Sequence, residues 1–569
     1  MTSPRFVRPI GRRIFGSAPW WSIAVVLGAG LLVLAPVASL VAIAMGGTQV
    51  PRSLLGDVLP VALVETTLLL GGIAVVAGSI GVGTAWLVTA YRFPLRTTLA
   101  WLLPLPLAVP TYITAYVYVD LLDAGGRVQM LLRSLMGWHS RADYWFPEIR
   151  SLGGCVLVMS FVLYPYVYIT ARAMFLTQSA GMMEVARTLG ASRLELFRAV
   201  ALPLARPALA VGLSLALLEA LNDIGAAEYL GVRTLTVSVY TTWLNRGSLA
   251  GAAQIACTML AVVMALIALE RHGRRSRRYA MPTRRPRLAQ ALHLSPRAGV
   301  LALVACALPV LLGFLVPAAF LVQELVARGP AQQLDLTFLR HLATSLWLAG
   351  AATAATLCLA VVVVTASRFA QHQLTDSLRF LIGLGYAIPG TVLALGLLGP
   401  LVGFDNALNA LWRMLTGERL GLVVMGSSAA IVIAYTVRFL TIATGSLTAG
   451  FERVSAGIDD AARTLGASAR ELVLRIQLPL LRPALASAAL LVFVDCLKEL
   501  PATLLLRPLN TETLATLVYG HASRGAFEDG ALAALVIVAV GVWPVLQLTR
   551  SAESIRLPRR ERWARRRAG

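Results

Sequence analysis

Apolar segments of roughly 20 residues or more recur about every 40 residues along this chain of 569 residues. A helix needs about 20 apolar residues to cross the roughly 30 Å of hydrocarbon in a bilayer. With 57% hydrophobic and 14% charged residues, the chain carries more apolar surface than a soluble core of this size could bury. In lipid each segment must be helical, because no water satisfies an open backbone. The sequence therefore predicts an all-α polytopic membrane protein.

About twelve segments are long and apolar enough to span a bilayer, and they fall into two sets of six. The first set lies at about 22–45, 61–90, 98–121, 152–176, 206–226 and 249–270, and the second at about 298–325, 341–366, 377–400, 421–446, 483–504 and 529–549. The run at 22–45 is too long for a cleaved signal sequence, and we interpret it as a retained first helix.

The net charge of +22 does not indicate a nucleic-acid-binding protein, because of where the arginines lie. They concentrate outside the apolar runs, at the N-terminal end, at 271–287 and at the C-terminal end. Basic segments of this kind stay on the cytoplasmic side of a membrane, whereas a nucleic-acid interface combines basic and aromatic residues in a folded domain. We therefore expect both termini in the cytoplasm, contact with lipid and no bound nucleic acid.

The two sets of six are copies of one unit. The phrase ARTLGAS occurs at 186–192 and again at 462–468, a shift of 276 residues. The same shift places Arg92 on Arg368 and Phe93 on Phe369. Because six is even, both copies enter the membrane from the same side, so the repeat is parallel. The predicted domains are a first repeat at 1–270, a basic cytoplasmic linker at 271–297 and a second repeat at 298–569.

The repeated phrase predicts the same helix-turn-helix in each half. Gly190 suits the left-handed conformation that ends a short helix begun near Glu184. Ser192 and Glu195, spaced as S-x-x-E, then form a capping box for the next helix. Ser468 and Glu471 repeat that spacing. Prolines at 203, 207, 479 and 483 are expected to set each motif apart from the following span.

With its flanks, this phrase resembles the cytoplasmic coupling motif of ABC importer permeases. It reads EVARTLGAS with LPLARP in the first half, and DAARTLGAS with LPLLRP in the second. The resemblance implies two coupling loops, at 180–205 and 456–481, that dock on two copies of a separate ABC ATPase subunit. The motif residues it assigns to docking are Glu184, Ala186, Leu189, Gly190, Ser192, Glu195, Asp460, Ala462, Leu465, Gly466, Ser468 and Glu471.

The chain itself has no sequence signature of an enzyme. A nucleotide-binding P-loop needs a lysine before Ser or Thr, and the one lysine here, Lys498, precedes Glu499 in an apolar stretch. We therefore expect no cofactor in this chain, with ATP and magnesium bound by the partner subunits. The five cysteines stand alone in apolar stretches, without CxxC spacing or a nearby histidine ligand, so no metal site is assigned.

Four carboxylates inside predicted spans are the candidate substrate pathway, since ionisable residues in a membrane are costly and usually face a cavity or a partner. Glu219 and Asp223 lie four residues apart, on one face of the fifth helix, towards its outer end. Asp495 and Glu499 are their counterparts on the eleventh helix. A structural role, such as pairing Asp495 with Lys498, is the alternative.

Pro110 and Pro389, in VPTYITAY and IPGTVLAL, place a helix-bending residue in the third span of each half. Such prolines can open the backbone towards a cavity, although proline is also common in membrane helices for packing reasons. We include both in the candidate pathway.

The fused two-half arrangement, with LNDIGAAEYLG and DCLKELPATLLLRP, resembles bacterial iron(III) permeases. The resemblance implies an inner-membrane permease that receives its substrate from a periplasmic binding protein. Permeases for thiamine, polyamine or phosphonate are alternatives within the same group. The carboxylates suit a cation or a hard metal ion and suit free sulfate or phosphate badly. From other classes, a twelve-helix secondary transporter driven by an ion gradient and a non-transporting receptor or scaffold stay open.

Overall fold

A computed structural model describes residues 20–46, 54–177, 188–275, 291–329, 334–370, 382–452, 454 and 456–554. Over these residues the chain is almost entirely helical. The strands described are Tyr91–Arg92 and Leu292–His293, which form a short parallel pair. This pair joins the C-terminal end of the inter-repeat linker to the loop after the second span. The predicted all-α class is confirmed.

The predicted twelve spans are confirmed as eleven single helices and one bent pair within the described residues. The single helices are Trp20–Gly46, Gly56–Ala90, Leu152–Leu176, Arg193–Asn222, Leu249–Arg274, Pro296–Arg328, Leu336–Arg368, Gly390–Thr416, Ser428–Phe451, Leu472–Leu497 and Glu528–Gln547. The third span is the bent pair, in which Arg96–Ala108 and Thr111–Met136 meet at 92°. The division at 1–270, 271–297 and 298–569 stays a prediction, and residues 276–290 of the linker lie outside the described residues.

Short helices fill the breaks and loops between these spans. They are Arg127–Met136, Gly225–Tyr229, Leu235–Leu244, Ala456–Thr464, Pro501–Leu506 and Leu514–Ser523. The segments Gly225–Tyr229 and Pro501–Leu506 follow the fifth and eleventh spans after breaks of two or three residues. Residues of these equivalent breaks line a cavity between the two halves.

The ninth span differs from its prediction at both ends. It was expected over about 377–400, but the helix begins at Gly390, directly after Pro389, and continues to Thr416. Residues 371–381 lie outside the described part of the chain. Pro400 stays inside the helix, because neighbouring helices tolerate proline in a membrane segment. Gly417, with φ of 80°, ends the helix in the left-handed conformation.

Side chains from the neighbouring span satisfy the backbone where the third span is broken. Pro104 has no N–H to offer the Ala100 carbonyl, and the Tyr168 hydroxyl donates to that oxygen at 3.2 Å. Tyr164 likewise donates to the Leu103 carbonyl at 2.7 Å. A break inside a membrane is tolerated only with such internal partners.

A single threonine serves the same purpose in the second half. The Thr441 hydroxyl donates to the Ile382 carbonyl at 3.0 Å and accepts from the Tyr386 N–H at 3.2 Å. It thus stands in the place of the direct helical hydrogen bond between Ile382 and Tyr386. In both halves, therefore, side-chain hydroxyl groups satisfy the backbone at the break before the proline, although different residues supply them.

The first helix of each half crosses over to pack on the other half. Trp20–Gly46 packs against Gly390–Thr416, and the helix Pro296–Arg328 packs against Leu152–Thr177. Glycine permits the first crossing, since a Cβ atom at Gly396 would overlap the Pro36 carbonyl oxygen. The two halves are therefore interlocked rather than joined side by side.

We predict that Gly396→Val separates the first helix from the ninth and destabilises the protein by about 1–3 kcal/mol, the usual cost of overpacking. The obstructing atom belongs to the backbone and has little freedom to move. Gly403→Val on the same helix is the matched control, because a Cβ atom there meets nothing within 4 Å. Thermal melting of the purified protein measures the difference, and equal melting temperatures for the two variants would contradict the crossing.

Candidate functional site

The two coupling motifs share one turn geometry. Gly190 and Gly466 have φ of 83° and 81°, the left-handed conformation expected from the sequence. In the second half the helix Ala456–Thr464 ends there, and the Ala467 N–H donates to the Ala462 carbonyl at 3.0 Å, as in a Schellman motif. In the first half Glu184 and Ala186 lie outside the described residues.

Both predicted capping boxes are confirmed. The Glu195 N–H donates to the Ser192 hydroxyl, and the Ser192 N–H donates to the Glu195 carboxylate at 2.8 Å. Ser468 and Glu471 make the same exchange at 3.3 and 3.2 Å. Hydrogen bonding from the Ser468 N–H lowers the pKa of Glu471. A lowered folded-state pKa means that this stabilisation is present at neutral pH and is lost only as the pH falls through that pKa.

The prediction that prolines set each motif apart from the following span is wrong. The second helix of each motif continues directly into the membrane, over Arg193–Asn222 and Leu472–Leu497. One π-helical turn, at Leu196–Ala201 and at Leu472–Gln477, precedes Pro203 and Pro479 and absorbs the backbone mismatch. The second helix of each motif and the following span therefore form one continuous helical rod.

An ion-pair network that the motif search missed braces the second coupling loop. Asp459 is buried and pairs with Arg368 at 2.8 Å, and Gln477 donates to the same carboxylate at 3.2 Å. Arg368 also stacks over the Phe451 ring at 4.5 Å. Asp460, the motif residue, is exposed beside it. The sequence indicated Arg368 in one way only, because the 276-residue shift aligns it with Arg92 of the first repeat.

The tips of the two turns present apolar side chains to solvent. Leu189 is 82% exposed and Leu465 is 87% exposed. These leucines occupy equivalent positions, directly before the left-handed glycine of each turn. Ala462, by contrast, is buried beneath the second turn. The exposed part of each motif is thus an apolar tip on a rigid, capped turn.

A polar cavity of about 90 Å³ lies at the centre of the molecule, between the two halves. All four candidate carboxylates line it: Glu219 and Asp223 from the first half, and Asp495 and Glu499 from the second. Pro110 lines it directly. Pro389 is adjacent, because the next residue, Gly390, donates its N–H to Asn222 of the lining at 2.6 Å. The volume accommodates about three water molecules.

Asp223 and Glu499 are buried and lie in the breaks of their helices. Asp223 is therefore not on the same helical face as Glu219, because the fifth span ends at Asn222. Its carboxylate accepts from the Ala226 N–H at 2.9 Å and from the Thr111 hydroxyl. Glu499 accepts from the N–H groups of Ala502 and Thr503, at 2.9 and 3.1 Å. Each carboxylate thus caps the short helix after its break.

Glu499 is further held by a buried ion pair with Arg438. The guanidinium lies 3.0 Å from the carboxylate, and the two side chains are 6% and 2% exposed. The same guanidinium nitrogen also lies 3.3 Å from the Asn222 amide oxygen. Removing one partner of such a buried pair leaves an uncompensated charge. This cluster is a structural element of the cavity wall.

Glu219 and Asp495 face the cavity from within their helices and are less buried. The predicted pair of Asp495 with Lys498 is confirmed at 2.8 Å. Glu219 accepts a hydrogen bond from the Tyr386 hydroxyl of the other half. Among the described residues, Glu219 has no cationic side chain within ion-pair distance.

The charge of the cavity is unequal between the halves. Arg438 and Lys498 both come from the second repeat, and the 276-residue shift places Val162 and Asn222 at their positions in the first. The second-half carboxylates are therefore paired internally, while the first-half carboxylates are held by hydroxyl groups and a backbone N–H. Within the described residues, no three His, Cys, Asp or Glu side chains cluster closely enough to chelate a metal ion.

Sequence reasoning missed Arg438, although an arginine inside the apolar segment Ser428–Phe451 is as clear a signal as a carboxylate. Tyr386 and Thr111 gave no such signal. Hydroxyl residues are common in membrane helices, and only the fold brings these two against Glu219 and Asp223.

Comparison with known proteins agrees with this architecture. The family model described as "binding-protein-dependent transport system inner membrane component" matches residues 77–278 and 365–550, more than half of the chain. Each matched segment contains one coupling motif and one pair of central carboxylates. The match therefore recognises both halves as the same kind of unit.

Relatives named for different substrates match to different extents. The Fe(3+)-transport system permease protein FbpB 2 of Haemophilus influenzae is 24% identical over 86% of this chain and 90% of its own length. The sulfate transport system permease protein CysT of Salmonella typhimurium is 32% identical over 30% of this chain and 58% of its own. The molybdenum transport system permease protein ModB of Escherichia coli is 29% identical over 34% and 88%. The chain is a multi-pass membrane protein and belongs to the family of binding-protein-dependent transport system inner membrane components.

Proposed function

We propose that this chain is a membrane-spanning permease of an ATP-driven uptake system, and that it imports a cation, iron(III). A periplasmic binding protein delivers the substrate at the outer face. Two copies of an ATPase subunit bind the two coupling loops and hydrolyse ATP with magnesium. Both termini lie in the cytoplasm of a bacterial cell, and the chain itself carries out no covalent chemistry.

The observation that carries the transport proposal is the pair of equivalent coupling turns. Each turn is stiffened by a left-handed glycine and a capping box, and each continues as one rod into a span that lines the cavity. A displacement of the helix after either turn is therefore transmitted along one uninterrupted helix to Glu219 or Asp495. ATP binding can bias two membrane conformations only if it makes different contacts with each of them. Closure of two ATPases on these rods would supply such contacts.

The cation proposal is supported by the charge of the cavity. Four carboxylates face two basic side chains there, and among the described residues Glu219 has no basic side chain within ion-pair distance. The relative whose name specifies Fe(3+) also matches over nearly its whole length, with both halves in one chain. Thiamine and polyamine are cations too and stay alternatives on these grounds.

An anionic substrate is the second candidate, because relatives named for sulfate and molybdenum transport also match. Phosphonate belongs to the same chemical class. Arg438 and Lys498 would have to bind such an anion, yet both are already paired with carboxylates. A secondary transporter would need no coupling turns. Import that persists on an ion gradient without the ATPase would favour that class.

We predict that the double variant Leu189→Asp and Leu465→Asp loses the ATPase subunit on purification from membranes. Burying an aspartate in an apolar groove removes the apolar contact and desolvates a charge, so we expect the affinity to fall at least about tenfold at each loop. Leu509→Asp is the matched control, because Leu509 is fully exposed on a different loop. Undiminished co-purification of the double variant would contradict docking through these tips.

We predict that Glu219→Gln lowers iron(III) uptake by proteoliposomes about tenfold or more, the effect of losing one charge interaction of roughly 1.4 kcal/mol. The membrane abundance of the variant should stay unchanged. Glu499→Gln is the comparison, because it replaces one of the two acceptor oxygens by an NH2 group and leaves Arg438 buried without its carboxylate. We expect a loss of stability of about 3–5 kcal/mol for that variant, visible as reduced abundance.

The same proteoliposomes, supplied with ATPase, binding protein and ATP, decide between the alternatives. An iron(III) uptake rate of Glu219→Gln equal to that of the wild type would contradict a cation pathway past Glu219. Equal loss of abundance in both variants would assign Glu219 to holding the helices together. Uptake of sulfate or molybdate in place of iron(III) would establish an anion permease.

A further inference from the structure

Lys498 is the one lysine in a chain whose other strongly basic residues are all arginines. It follows the last residue of the eleventh span, Leu497, and lines the central cavity. The first repeat has Asn222 at the equivalent position. A lysine therefore stands at one of the few places in this protein where a basic side chain faces the proposed pathway.

The two ion pairs of the cavity differ in how firmly they are held. The Arg438–Glu499 pair is almost fully buried, and its carboxylate accepts further hydrogen bonds from Ala502 and Thr503. In the Lys498–Asp495 pair the side chains are 30% and 19% exposed. Partly hydrated pairs contribute little net stability and separate readily, whereas breaking a buried pair is costly. Lys498 is the cation of the cavity that can leave its partner.

The Lys498 ammonium interacts with carboxylates from both halves. Its ion-pair partner is Asp495, and it also experiences the charge of Glu219. Glu219 accepts from the Tyr386 hydroxyl, and Tyr166 and Tyr386 line the same cavity as the two carboxylates and Lys498. Oxygen donors of this kind suit hard cations.

A second, independent feature indicates that the cavity receives a polar ligand. The Tyr112 hydroxyl is buried, belongs to the cavity lining and has no hydrogen-bond partner among the described residues. Buried hydroxyl groups are nearly always hydrogen-bonded. An oxygen-bearing ligand or hydrated cation in the cavity would satisfy it.

We propose that the Lys498 ammonium is a built-in counter-ion, which holds the cation site between Glu219 and Asp495 when no substrate is present and is displaced by a hard, multiply charged cation during transport. This inference rests on the proposed function of the chain as a cation importer.

The physical advantage is selectivity against common monovalent ions. Two carboxylates without a counter-ion would attract sodium or potassium, and the membrane would then be exposed to a leak. A tethered ammonium fills the site at high effective concentration, so a free monovalent ion competes poorly. A trivalent cation interacts with each carboxylate about three times as strongly at the same distance and can displace the lysine. The flexible stem of lysine allows the ammonium to move aside, while the fork of Arg438 stays fixed.

The test uses Tb³⁺ as a trivalent oxygen-seeking probe, with luminescence sensitised by the tyrosines of the cavity. The purified permease–ATPase complex is titrated as wild type, Lys498→Gln, Lys498→Arg and the double variant Lys498→Gln with Glu219→Gln. We expect Lys498→Gln to bind Tb³⁺ at least about tenfold more tightly than wild type, and Lys498→Arg to stay close to wild type. In the double variant, the increase in Tb³⁺ affinity should be absent. Size-exclusion chromatography verifies that each complex is intact.

A second measurement on the unaltered protein does not depend on the folding of any variant. Because Lys498 is the only lysine, its acetylation by an amine-reactive reagent is identified by mass spectrometry of the peptide that contains it. Tb³⁺ should accelerate this acetylation, because it releases the ammonium from Asp495. Mg²⁺ at the same ionic strength controls for screening and should accelerate it less.

The outcomes separate this inference from the function on which it rests. Equal Tb³⁺ affinity in wild type and Lys498→Gln, or an acetylation rate that Tb³⁺ leaves unchanged, overturns the counter-ion role. If Glu219→Gln nevertheless weakens Tb³⁺ binding in that case, the cation importer stands. Absence of cavity luminescence in every complex overturns both.

Discussion

The structure depends on one constraint, which is that every backbone group opened inside the membrane must find a partner within the protein. The third, fifth, ninth and eleventh spans are all interrupted or begin near the centre. Their free groups are satisfied by Tyr164, Tyr168, Thr441 and the carboxylates Asp223 and Glu499. The interruptions thus lie around a cavity lined by charged side chains, and side chains satisfy several of the backbone groups that the breaks leave open.

This constraint divides the four intramembrane carboxylates into two kinds. Asp223 and Glu499 accept hydrogen bonds from backbone N–H groups of the short helices after the breaks. Glu219 and Asp495 line the cavity from within the fifth and eleventh helices. A structural role and a pathway role were competing explanations for the whole set. The structure shows structural contacts for Asp223, Glu499 and Asp495, and the pathway role stays a prediction. The division also follows the repeat, since each half contributes one carboxylate of each kind.

The two halves share the geometry of their coupling turns but differ in the charged side chains that they place in the cavity. Both coupling turns use the same glycine conformation and the same capping box, and both run directly into a cavity-lining span. In the cavity, however, Arg438 and Lys498 of the second repeat correspond to Val162 and Asn222 of the first. The cavity therefore has two unlike walls. The carboxylates of the second repeat are paired with basic side chains of the same repeat, and among the described residues those of the first repeat have no basic side chain at ion-pair distance.

The sequence by itself determined the number of spans, the coupling turns and the positions of the costly charges, because hydropathy, glycine and capping patterns act over a few residues. Two predictions from the sequence were wrong. The prolines at the start of the fifth and eleventh spans do not separate the coupling turns from those spans, because a π-helical turn precedes each proline and the helix continues. Asp223 does not share a helical face with Glu219, because it lies beyond the end of the helix. Only the tertiary structure decided which carboxylates are free, because that depends on Arg438, Tyr386 and Thr111, which distant parts of the chain bring to the cavity.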